Sequence, residues 1–279
     1  MSFKDFIRSI TPNSLLEKNR KHKKKLVNKD LKNQKERGDF LTKEEVITDL
    51  KKCGIEIGDT VLVHASMSKI GLLKDGPTTF IDAIIELVGV EGNVLMPSSP
   101  NANLQLDYIR AYPVFDVTNS PSKLGAISEK FRKMAGVQRS LNATEPVCAL
   151  GKDANYLTEG HFGAITTYDT NSPFARITEF NGKILYIGVT LDNAGTNLHT
   201  LEDAVDFAYP VYYPEIFDVE IIDSKGESHH TRTKVHNPEW SKRRKCDQLL
   251  SLFKEQNVYD ESKIGSARTL VFDAQKMLT

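Results

Sequence analysis

The sequence predicts an α/β fold: a three-layer α/β/α sandwich with a largely parallel central sheet, an antiparallel hairpin extension and a basic N-terminal arm. Short β-branched or apolar runs alternate with helical patterns along most of the chain, which is typical of strand–helix–strand units in a parallel sheet. Two alternating runs late in the chain are separated only by turn residues, which indicates a hairpin. A lysine-rich segment comes before the first of these elements.

The main domain is expected to span residues 41–279, after an arm of residues 1–40. Its first helix is indicated by Thr42 and Glu45, which have the spacing of a capping box, and it continues through Val46 and Leu50 to Cys53. The apolar patterns then predict further elements in this order: a strand at 60–64, a helix at 80–88, a strand at 93–96, a helix at 124–134, and strands at 147–150 and 183–189.

The last third of the main domain has a different pattern. Residues 217–222 and 228–235 flank Lys225 and Gly226, and this arrangement predicts an antiparallel hairpin that extends the sheet. Residues 240–253 and 267–278 have helical patterns and are expected to close the domain.

Composition limits the class of protein. A chain of 279 residues can bury an adequate core. Cys53, Cys148 and Cys246 are widely spaced and form no C-x-x-C pair, which argues against a disulfide framework or zinc site and favours a reducing compartment. No apolar run approaches the roughly 18 residues that span a bilayer, and the N-terminus lacks the pattern of a secretory signal. We therefore expect a cytoplasmic protein, and a homodimer is the commonest oligomer on general grounds.

Charge is unevenly distributed along this neutral chain. Residues 1–40 hold twelve Lys or Arg against five Asp or Glu, a net charge of +7, so the remainder carries −7. The arm also contains an apolar set that a short helix can gather on one side: Phe3, Phe6, Ile7, Ile10, Leu15 and Leu16. Two interpretations are open: a solvated or subunit-packing arm, and a membrane-surface element at the inner face of the membrane. No aromatic or base-reading pattern indicates a nucleic-acid partner.

His199 is the first candidate for catalysis. It follows the apolar strand at 183–189 and a polar loop, so it is expected just beyond the carboxyl end of a strand, where open α/β sheets bind their ligands. Glu202 and Asp203 lie three and four residues further on, on the same face of a helix. A neutral imidazole oriented by one of these carboxylates is suited to general-base catalysis. The structural alternative is a helix N-terminal histidine whose neighbouring acids favour the helix dipole.

Other chemistries leave weaker signals. His199 and Glu202 can share a metal ion, but such a site needs further ligands and no other histidine has a matching spacing, so we expect no metal. Ser66 and Ser68 follow the strand at 60–64 without the G-x-S-x-G motif of a nucleophile, and capping of a turn explains them equally well. The missing P-loop and Rossmann motifs argue against ATP and NAD chemistry.

Two polar segments near strand ends are candidates for substrate binding. Asn142 and Glu145 come just before the strand at 147–150, and Glu145 can bind an ammonium group or be a solvent-exposed turn acid. Asp192, Asn193 and Thr196 precede the helix of His199. They can cap that helix or contact a substrate.

Six segments occur in one order along the main domain. They are GDTVLVHASMSKIG (58–71), GPTTFIDAIIELVGVEGNVLMPS (76–98), FDVTNSPSKLGAISEKFRKMAGVQRS (115–140), SPFARI (172–177), KILYIGVTLDNAGTNLHTLEDA (183–204) and IGSARTLVFDAQKML (264–278). Each segment is weak evidence by itself, but in this order they resemble the aminoglycoside 3-N-acetyltransferase family over residues 41–279.

The resemblance implies acetyl-CoA as donor, a primary amine on a sugar as acceptor, and direct attack with His199 and Glu202 as the base system. It also implies a cleft for CoA between the loop that starts at Ser66 and the loop after Met96. The expected CoA contacts are His64, Ser66, Ser68, Gly71, Pro97 and Ser98. The acceptor is expected on the opposite side of the cleft, at Asn142, Glu145, Asp192, Asn193 and Thr196.

One departure from the family pattern concerns the acceptor. Aminoglycoside-modifying members carry a His-Pro-Thr-His type motif after Arg-Ser, where this chain has Asn-Ala-Thr-Glu at residues 142–145. The segments RSLNATEPVCALG and LDNAGTNLH look more like members associated with bacterial surface polysaccharides. We therefore expect a nucleotide-linked amino sugar as acceptor. The alternatives are a true aminoglycoside acetyltransferase and, in another class, a non-catalytic scaffold at the membrane surface.

Overall fold

The computed structural model describes residues 13–101 and 104–279, and it confirms the α/β class. Its helices are α1 (Asn13–Arg37), α2 (Lys43–Lys52), α3 (Met67–Ile70), α4 (Pro77–Val88), α5 (Gln105–Ala111), α6 (Ala126–Phe131), α7 (Ala154–Glu159), α8 (Pro173–Arg176), α9 (Leu191–Ala194), α10 (His199–Ala204), α11 (Pro238–Ser241), α12 (Leu250–Glu255) and α13 (Ala274–Leu278). Short 3₁₀ segments cover Ile177–Phe180, Thr196–Leu198 and Cys246–Leu249. The strands are β1 (Thr60–Ala65), β2 (Asn93–Pro97), β3 (Val114–Asp116), β4 (Gln138–Arg139), β5 (Val147–Gly151), β6 (Lys183–Ile187), β7 (Phe217–Ile222), β8 (Ser228–Thr233), β9 (Tyr259–Ile264) and β10 (Ala267–Asp273).

The central sheet has seven strands in the order β4-β5-β2-β1-β6-β10-β9. β1 is its middle strand and pairs in parallel with β2 and β6, with Leu62 opposite Leu95 on one side and Ile184 on the other. The pairs outside this centre are antiparallel. Because β1, β2 and β6 run in parallel, their carboxyl ends meet at one edge of the sheet, where such sheets bind ligands.

The middle strand is buried on both faces. Val61 and Val63 belong to an apolar cluster with Phe80 of α4. Leu62, between them in the chain, belongs to a second cluster with Tyr186 and Phe272. Successive side chains of a strand point to opposite faces, so the two clusters are the cores on the two sides of the sheet. The unbroken apolar run of β1 follows from this double burial.

Most elements expected from the sequence are confirmed. α2 begins at the expected capping box, in which the Thr42 hydroxyl accepts from Glu45 N at 3.3 Å and the Glu45 carboxylate accepts from Thr42 N at 2.8 Å. β1, α4, β2, β5 and β6 differ from the expected bounds only near their ends. The helix expected at 124–134 is shorter, because Gly125 at its N-cap has a φ of 123°, which is not helical.

The helix expected at 267–278 is wrong for its first seven residues, which form strand β10. β10 pairs antiparallel with β6 on one side and with β9 on the other, so long-range pairing overrides the local pattern. β9 was not expected because its sequence, YDESKI, is charged, as is common for an edge strand. Gly265, with a φ of 55°, makes the turn between the two strands.

The hairpin of β7 and β8 is confirmed, but it does not extend the central sheet. It forms a separate three-stranded sheet with β3, which pairs in parallel with β7. The buried residues of this sheet form a cluster of their own, which includes Phe115, Val219, Ile221 and Val235. The pairing of β7 with β3 and this separate core explain why the hairpin is detached from the main sheet.

The single helix expected at 240–253 is also wrong. The segment contains α11, the 3₁₀ turn and α12, and Lys245 separates them with an extended φ of −137°. The break lies directly after Arg244, whose guanidinium is bonded to a carboxylate of α10. A tertiary ion pair therefore overrides the helical pattern here.

The basic arm contains α1, a helix of 25 residues. Its C-terminal end is fixed to the domain by Gln34, whose side-chain oxygen accepts from Leu72 N at 3.0 Å. Of the apolar set in the arm, Phe3, Phe6, Ile7 and Ile10 lie outside the described residues, as do the side chains of Leu15 and Leu16. In the part of the chain that the structure describes, no helix combines the length and apolar character needed to cross a membrane.

Gly265 and Gly226 both turn a hairpin at positive φ, 55° and 84°. A Cβ at Gly265 would lie 2.4 Å from the carbonyl oxygen of Ile70, whereas one at Gly226 meets nothing within 4 Å among the described residues. We expect Gly226→Ala to lower the free energy of unfolding by about 1 kcal/mol through strain alone. Gly265→Ala should lower it by about 2–4 kcal/mol, because the backbone must also shift. Urea unfolding measures both variants, and equal losses would contradict the close approach at Gly265.

Candidate active site

Two adjoining cavities open where β1, β2 and β6 end. Cavity A, of about 280 Å³, lies directly over the strand ends and is lined by His64, Pro97, Ser99, Asn101, Ser128 and Val189 among others. Cavity B, of about 230 Å³, lies beside it and is lined by Gln105, Tyr168, Asp192, His199, His236 and Arg244 among others. The described residues that line both cavities, and so mark their junction, are Glu145, Asn193, Ala194 and Thr196.

His199 is the first residue of α10 and faces cavity B. Its Nδ1 atom lies 2.7 Å from Oε2 of Glu202, one helical turn further on. An ionised carboxylate can only accept a hydrogen bond, so Nδ1 carries the hydrogen and Nε2 keeps its lone pair. The ring is therefore oriented with a free basic nitrogen.

Glu202 is held in turn by Arg244. The guanidinium donates from Nε to Oε1 at 2.7 Å and from Nη2 to Oε2 at 2.6 Å, a bidentate ion pair. Burial raises the pKa of Glu202, but the hydrogen bonds from His199 and Arg244 outweigh burial and bring the pKa to about 2. The carboxylate is thus ionised at neutral pH, as the orientation of His199 requires.

The protonation state of His199 follows from the same neighbours. Burial lowers its pKa, the hydrogen bond to Glu202 raises it, and the charge of Arg244 lowers it. The net shift is downward from the usual value of about 6.5, so the imidazole is neutral near pH 7. A neutral ring with a free Nε2 can accept a proton from a group bound in cavity B.

A second histidine, His236, supports this ring. The two imidazoles meet edge to face with centroids 4.3 Å apart, and His236 is stacked between Tyr168 and Tyr212, each at 5.2 Å. Its buried Nε2 atom has no hydrogen-bond partner among the described residues and lies 3.8 Å from Oε2 of Glu202. Burial, with the nearby His199 and Arg244, lowers the pKa of His236 far below its usual range, so this ring is neutral as well.

Asp203, the other carboxylate considered from the sequence, does not contact His199. It accepts hydrogen bonds from the hydroxyls of Thr166 and Tyr212. Glu202 is therefore the carboxylate that orients the catalytic candidate.

His199, Glu202 and His236 also place their ligand atoms within 4.8 Å of one another, which is close enough to share a metal ion. The spacing argument made from the sequence missed His236 as a third member. However, both oxygens of Glu202 are already bonded to Arg244, and the charge of that guanidinium opposes a divalent cation. The residues present fit proton transfer better than metal binding.

Glu145 lies at the junction of the two cavities and is 9% exposed. Asn142 holds the turn that presents it, since its Oδ1 accepts from the backbone N of Thr144 and of Glu145 at 3.1 and 3.0 Å. Gln105 Nε2 donates to Glu145 Oε1 at 3.2 Å. Burial raises the pKa of Glu145 to about 7, and the hydrogen bonds only partly oppose this. Glu145 thus faces the site, whereas Asn142 shapes the turn and does not line either cavity.

The residues expected to contact CoA separate into two groups. His64 and Pro97 line cavity A. The His64 ring is stacked on Tyr186 at 4.8 Å, its Nε2 donates to Oδ1 of Asn197 at 3.1 Å, and burial lowers its pKa to about 4. Ser99, which was not expected, also lines this cavity.

The other four expected CoA contacts do not line cavity A. The Ser98 hydroxyl is fully buried and donates to Pro146 O at 3.0 Å, so it is a structural residue. Gly71, at a φ of 123°, packs under Gln34 of the arm. Ser66 and Ser68 lie beside each other at the end of β1, with their hydroxyl oxygens 3.5 Å apart.

Asp192, Asn193 and Thr196 all line cavity B. Asp192 is exposed, and its carboxylate accepts from Asp247 N at 3.0 Å. The Thr196 hydroxyl is buried and has no hydrogen-bond partner among the described residues, which leaves it free to bond a ligand at the junction.

Sequence reasoning missed Gln105, Tyr168, His236 and Arg244. Each comes from a different loop or short helix and is remote from His199 in the chain, so no local spacing connects them. The only available signal was the basic run at residues 242–245, in which Arg244 was not distinguishable from its neighbours.

Comparison with known proteins identifies the family to which the chain belongs. The family model described as aminoglycoside 3-N-acetyltransferase matches residues 62–279. Aminoglycoside N(3)-acetyltransferase VIII of Streptomyces fradiae is 30% identical over 178 residues, which cover 59% of this chain and 62% of that protein. The match thus spans less than two thirds of that relative's length.

Solved structures share the fold over a larger part of the chain. Aminoglycoside acetyltransferase AAC(3)-Xa superposes with a TM-score of 0.76 at 25% identity, covering 90% of this chain and 95% of that one. The binary complex of AAC-IIIb with CoASH superposes with a TM-score of 0.71 at 25% identity, covering 86% and 94%.

The two neighbours of His199 act on its basicity in opposite directions. Arg244→Met removes a positive charge and should raise the pKa of His199, whereas Glu202→Gln removes the bond that stabilises the imidazolium and should lower it. A ¹³C-detected NMR titration of the histidine Cε1 resonances, with His199 assigned from a His199→Gln spectrum, measures both shifts. Shifts in the same direction would contradict the arrangement.

Proposed function

Because the chain belongs to the aminoglycoside 3-N-acetyltransferase family, we propose that it transfers the acetyl group of acetyl-CoA to the primary amine of an amino-sugar compound. The observation that carries this proposal is the neutral His199, oriented by the Glu202–Arg244 pair, in a cavity that adjoins a second one over the strand ends. The two cavities can hold the acceptor and the donor side by side.

His199 supplies the base in this proposal. A sugar ammonium cannot attack a thioester, so the acceptor reacts as the neutral amine after losing one proton to solvent, and its nitrogen must lose a second proton as the amide forms. Nε2 of His199 accepts that proton, and Glu202 stabilises the imidazolium that forms through the bond at Nδ1. The amine nitrogen attacks the acetyl carbonyl directly, without a covalent enzyme intermediate.

Cavity A is the proposed site of the CoA end that carries the acetyl group. His64 and Pro97 form its wall at the ends of β1 and β2, and the CoASH complex of AAC-IIIb supports CoA as the ligand of this fold. The unpartnered hydroxyl of Thr196 lies at the junction. It can donate to the carbonyl oxygen as negative charge develops there.

The names of the relatives favour an aminoglycoside as acceptor over the nucleotide-linked amino sugar expected from the sequence. One observation still favours the nucleotide-linked amino sugar. The basic run at residues 242–245 lies in the chain between Ser241 and Cys246, which both line cavity B. Lys242 and Lys245 in this run are exposed and form no ion pair among the described residues. Exposed lysines next in the chain to cavity-lining residues favour an acceptor that carries phosphate and disfavour a polycation.

The basic helix α1 is proposed to contact an anionic membrane surface. Lys21, Lys25 and Lys29 are exposed along it, and Gln34 fixes the helix to the domain only near its C-terminal end. Attraction of a polybasic segment to anionic lipid requires no insertion of apolar side chains.

Thiol release from acetyl-CoA tests the proposed reaction, with a gentamicin-type aminoglycoside and UDP-glucosamine as parallel acceptors. Wild-type protein should release CoA with at least one of them. His199→Ala should reduce kcat by about 10²–10⁴-fold, since it removes the base. Turnover of only one acceptor class decides between the two candidates.

His230→Ala serves as the matched control, because His230 is exposed on β8 of the separate small sheet. It should retain wild-type turnover and the same thermal midpoint. Intact turnover in His199→Ala, or silence of the wild-type protein with both acceptors, would overturn the proposed function.

Co-sedimentation with vesicles tests the role of α1. The triple variant Lys21→Ala, Lys25→Ala, Lys29→Ala should bind phosphatidylserine-containing vesicles about a hundredfold more weakly, at about 1 kcal/mol for each lysine near the surface. Removing the exposed Lys225, Lys254 and Lys263 should have little effect. Equal binding to neutral phosphatidylcholine vesicles, or an unchanged triple variant, would refute the membrane contact.

A further inference from the structure

We infer that Glu145, in its protonated form, donates the proton that the sulfur of CoA receives as the carbon–sulfur bond breaks. This inference rests on the proposed function, because it concerns the second half of the same reaction. It assigns to Glu145 a role in catalysis beyond the acceptor binding expected from the sequence.

The position of Glu145 gives it access to both reactants. Among the described residues that line both cavities, Glu145 is the titratable one; the others are Asn193, Ala194 and Thr196. The amine in cavity B and the thioester in cavity A must come within about 3–3.5 Å of each other to react, and they can do so only at this junction. His199 lines cavity B and is occupied there as the base.

The other polar groups of cavity A are poor proton donors. His64 uses its Nε2 hydrogen on Asn197 Oδ1, whose orientation is fixed because Asn197 Nδ2 donates to Phe174 O at 3.3 Å. Its Nδ1 then carries a lone pair, so the neutral ring has no free proton to give. The Ser99 and Ser128 hydroxyls donate to backbone oxygens at 2.7 and 2.9 Å, and alcohols are weak acids.

The surroundings of Glu145 favour the protonated carboxyl. Its hydrogen-bond partner, Gln105, is neutral, and among residues 13–101 and 104–279 no basic side chain forms an ion pair with it. The titratable groups that share cavity B with it are Tyr168, Asp192, His199, His236, Arg244 and Cys246. Arg244 is paired with Glu202, and the two histidines are neutral. Burial without a compensating cation is what raises the pKa of Glu145 to about 7.

The step balances with these two groups. The amine nitrogen forms a bond to the acetyl carbon and loses one proton to Nε2 of His199. The carbon–sulfur bond breaks, its electron pair stays on sulfur, and the sulfur takes the proton of Glu145. After the amide and CoA leave, the His199 imidazolium loses a proton to solvent and the Glu145 carboxylate gains one, which restores the starting state. The pair follows the general rule that acid and base are set by opposite environments.

The sign of the pH dependence follows from these protonation states. Glu145 is protonated below its pKa of about 7 and loses the proton above it. The donor form is therefore lost as the pH rises, and kcat should fall above about pH 7 to a lower plateau at which sulfur leaves unprotonated.

The test measures kcat and the acceptor KM from about pH 5.5 to pH 9, with saturating acetyl-CoA and with both a gentamicin-type aminoglycoside and UDP-glucosamine as acceptors. Wild-type protein, Glu145→Gln and Glu145→Asp are compared with the control Glu91→Gln, whose side chain is 63% exposed and paired with Lys152. Glu145→Gln should lose about 10–100-fold in kcat below pH 7, lack the alkaline fall, and leave the acceptor KM almost unchanged. Glu145→Asp should retain the alkaline fall, and Glu91→Gln should match wild type.

The outcomes separate the two proposals. If wild-type protein acetylates neither acceptor, the proposed function fails and this inference fails with it. If wild-type protein is active, this inference alone fails when Glu145→Gln keeps the alkaline fall. It also fails when the variant mainly raises the acceptor KM, which would assign Glu145 to ammonium binding. A pH-independent loss of kcat together with a lower thermal midpoint would assign it a structural role.

Discussion

The site depends on one interaction, the bidentate ion pair between Arg244 and Glu202. It joins Glu202 of α10 to Arg244, in the segment after α11. Breaking such a partly buried pair by removing one partner is costly, because the remaining charge is left without compensation. The same pair keeps Glu202 ionised, and this fixes the hydrogen of His199 on Nδ1. Stability of the segment and the chemical state of the base therefore rest on the same two hydrogen bonds.

The sequence was informative about elements whose local pattern agrees with their tertiary role. The capping box at Thr42 and the apolar run of β1 were recognisable because each is stabilised by contacts a few residues away or by uniform burial. β10 was misread because its partners, β6 and β9, determine its conformation. The break at Lys245 could not be foreseen either, since its cause is an ion pair to a residue 42 positions away from Arg244.

The site, like the fold, was predictable from the sequence only where residues close in the chain interact. His199 and Glu202 are one helical turn apart, and that spacing together with the preceding strand was enough to pair them. The sequence could not show which carboxylate, that of Glu202 or of Asp203, orients His199. The structure decides this, because the hydroxyls of Thr166 and Tyr212 donate to Asp203 instead. Ser98 shows the opposite failure: its position after β2 suggested a ligand contact, yet its hydroxyl is used within the core. Spacing locates a residue near the site, but only packing decides where its polar atoms point.

In the proposed function cavity B binds the acceptor, so the charged groups around this cavity limit which acceptor fits. Arg244 is paired with Glu202, so it adds no net attraction for an anion, and Asp192 is a further acidic side chain in the lining of this cavity. Glu145 contributes little negative charge while its carboxyl is protonated, which weakens the hold on a polycation but still leaves a hydrogen-bonding group at the junction. Lys242 and Lys245, next in the chain to residues that line this cavity, are exposed. An acceptor with an amino group close to a phosphate would suit both Asp192 and these lysines, whereas the lysines would repel a compound with several amines. The proposed function therefore predicts that the position of a second charged group relative to the reacting amine decides which acceptor is acetylated.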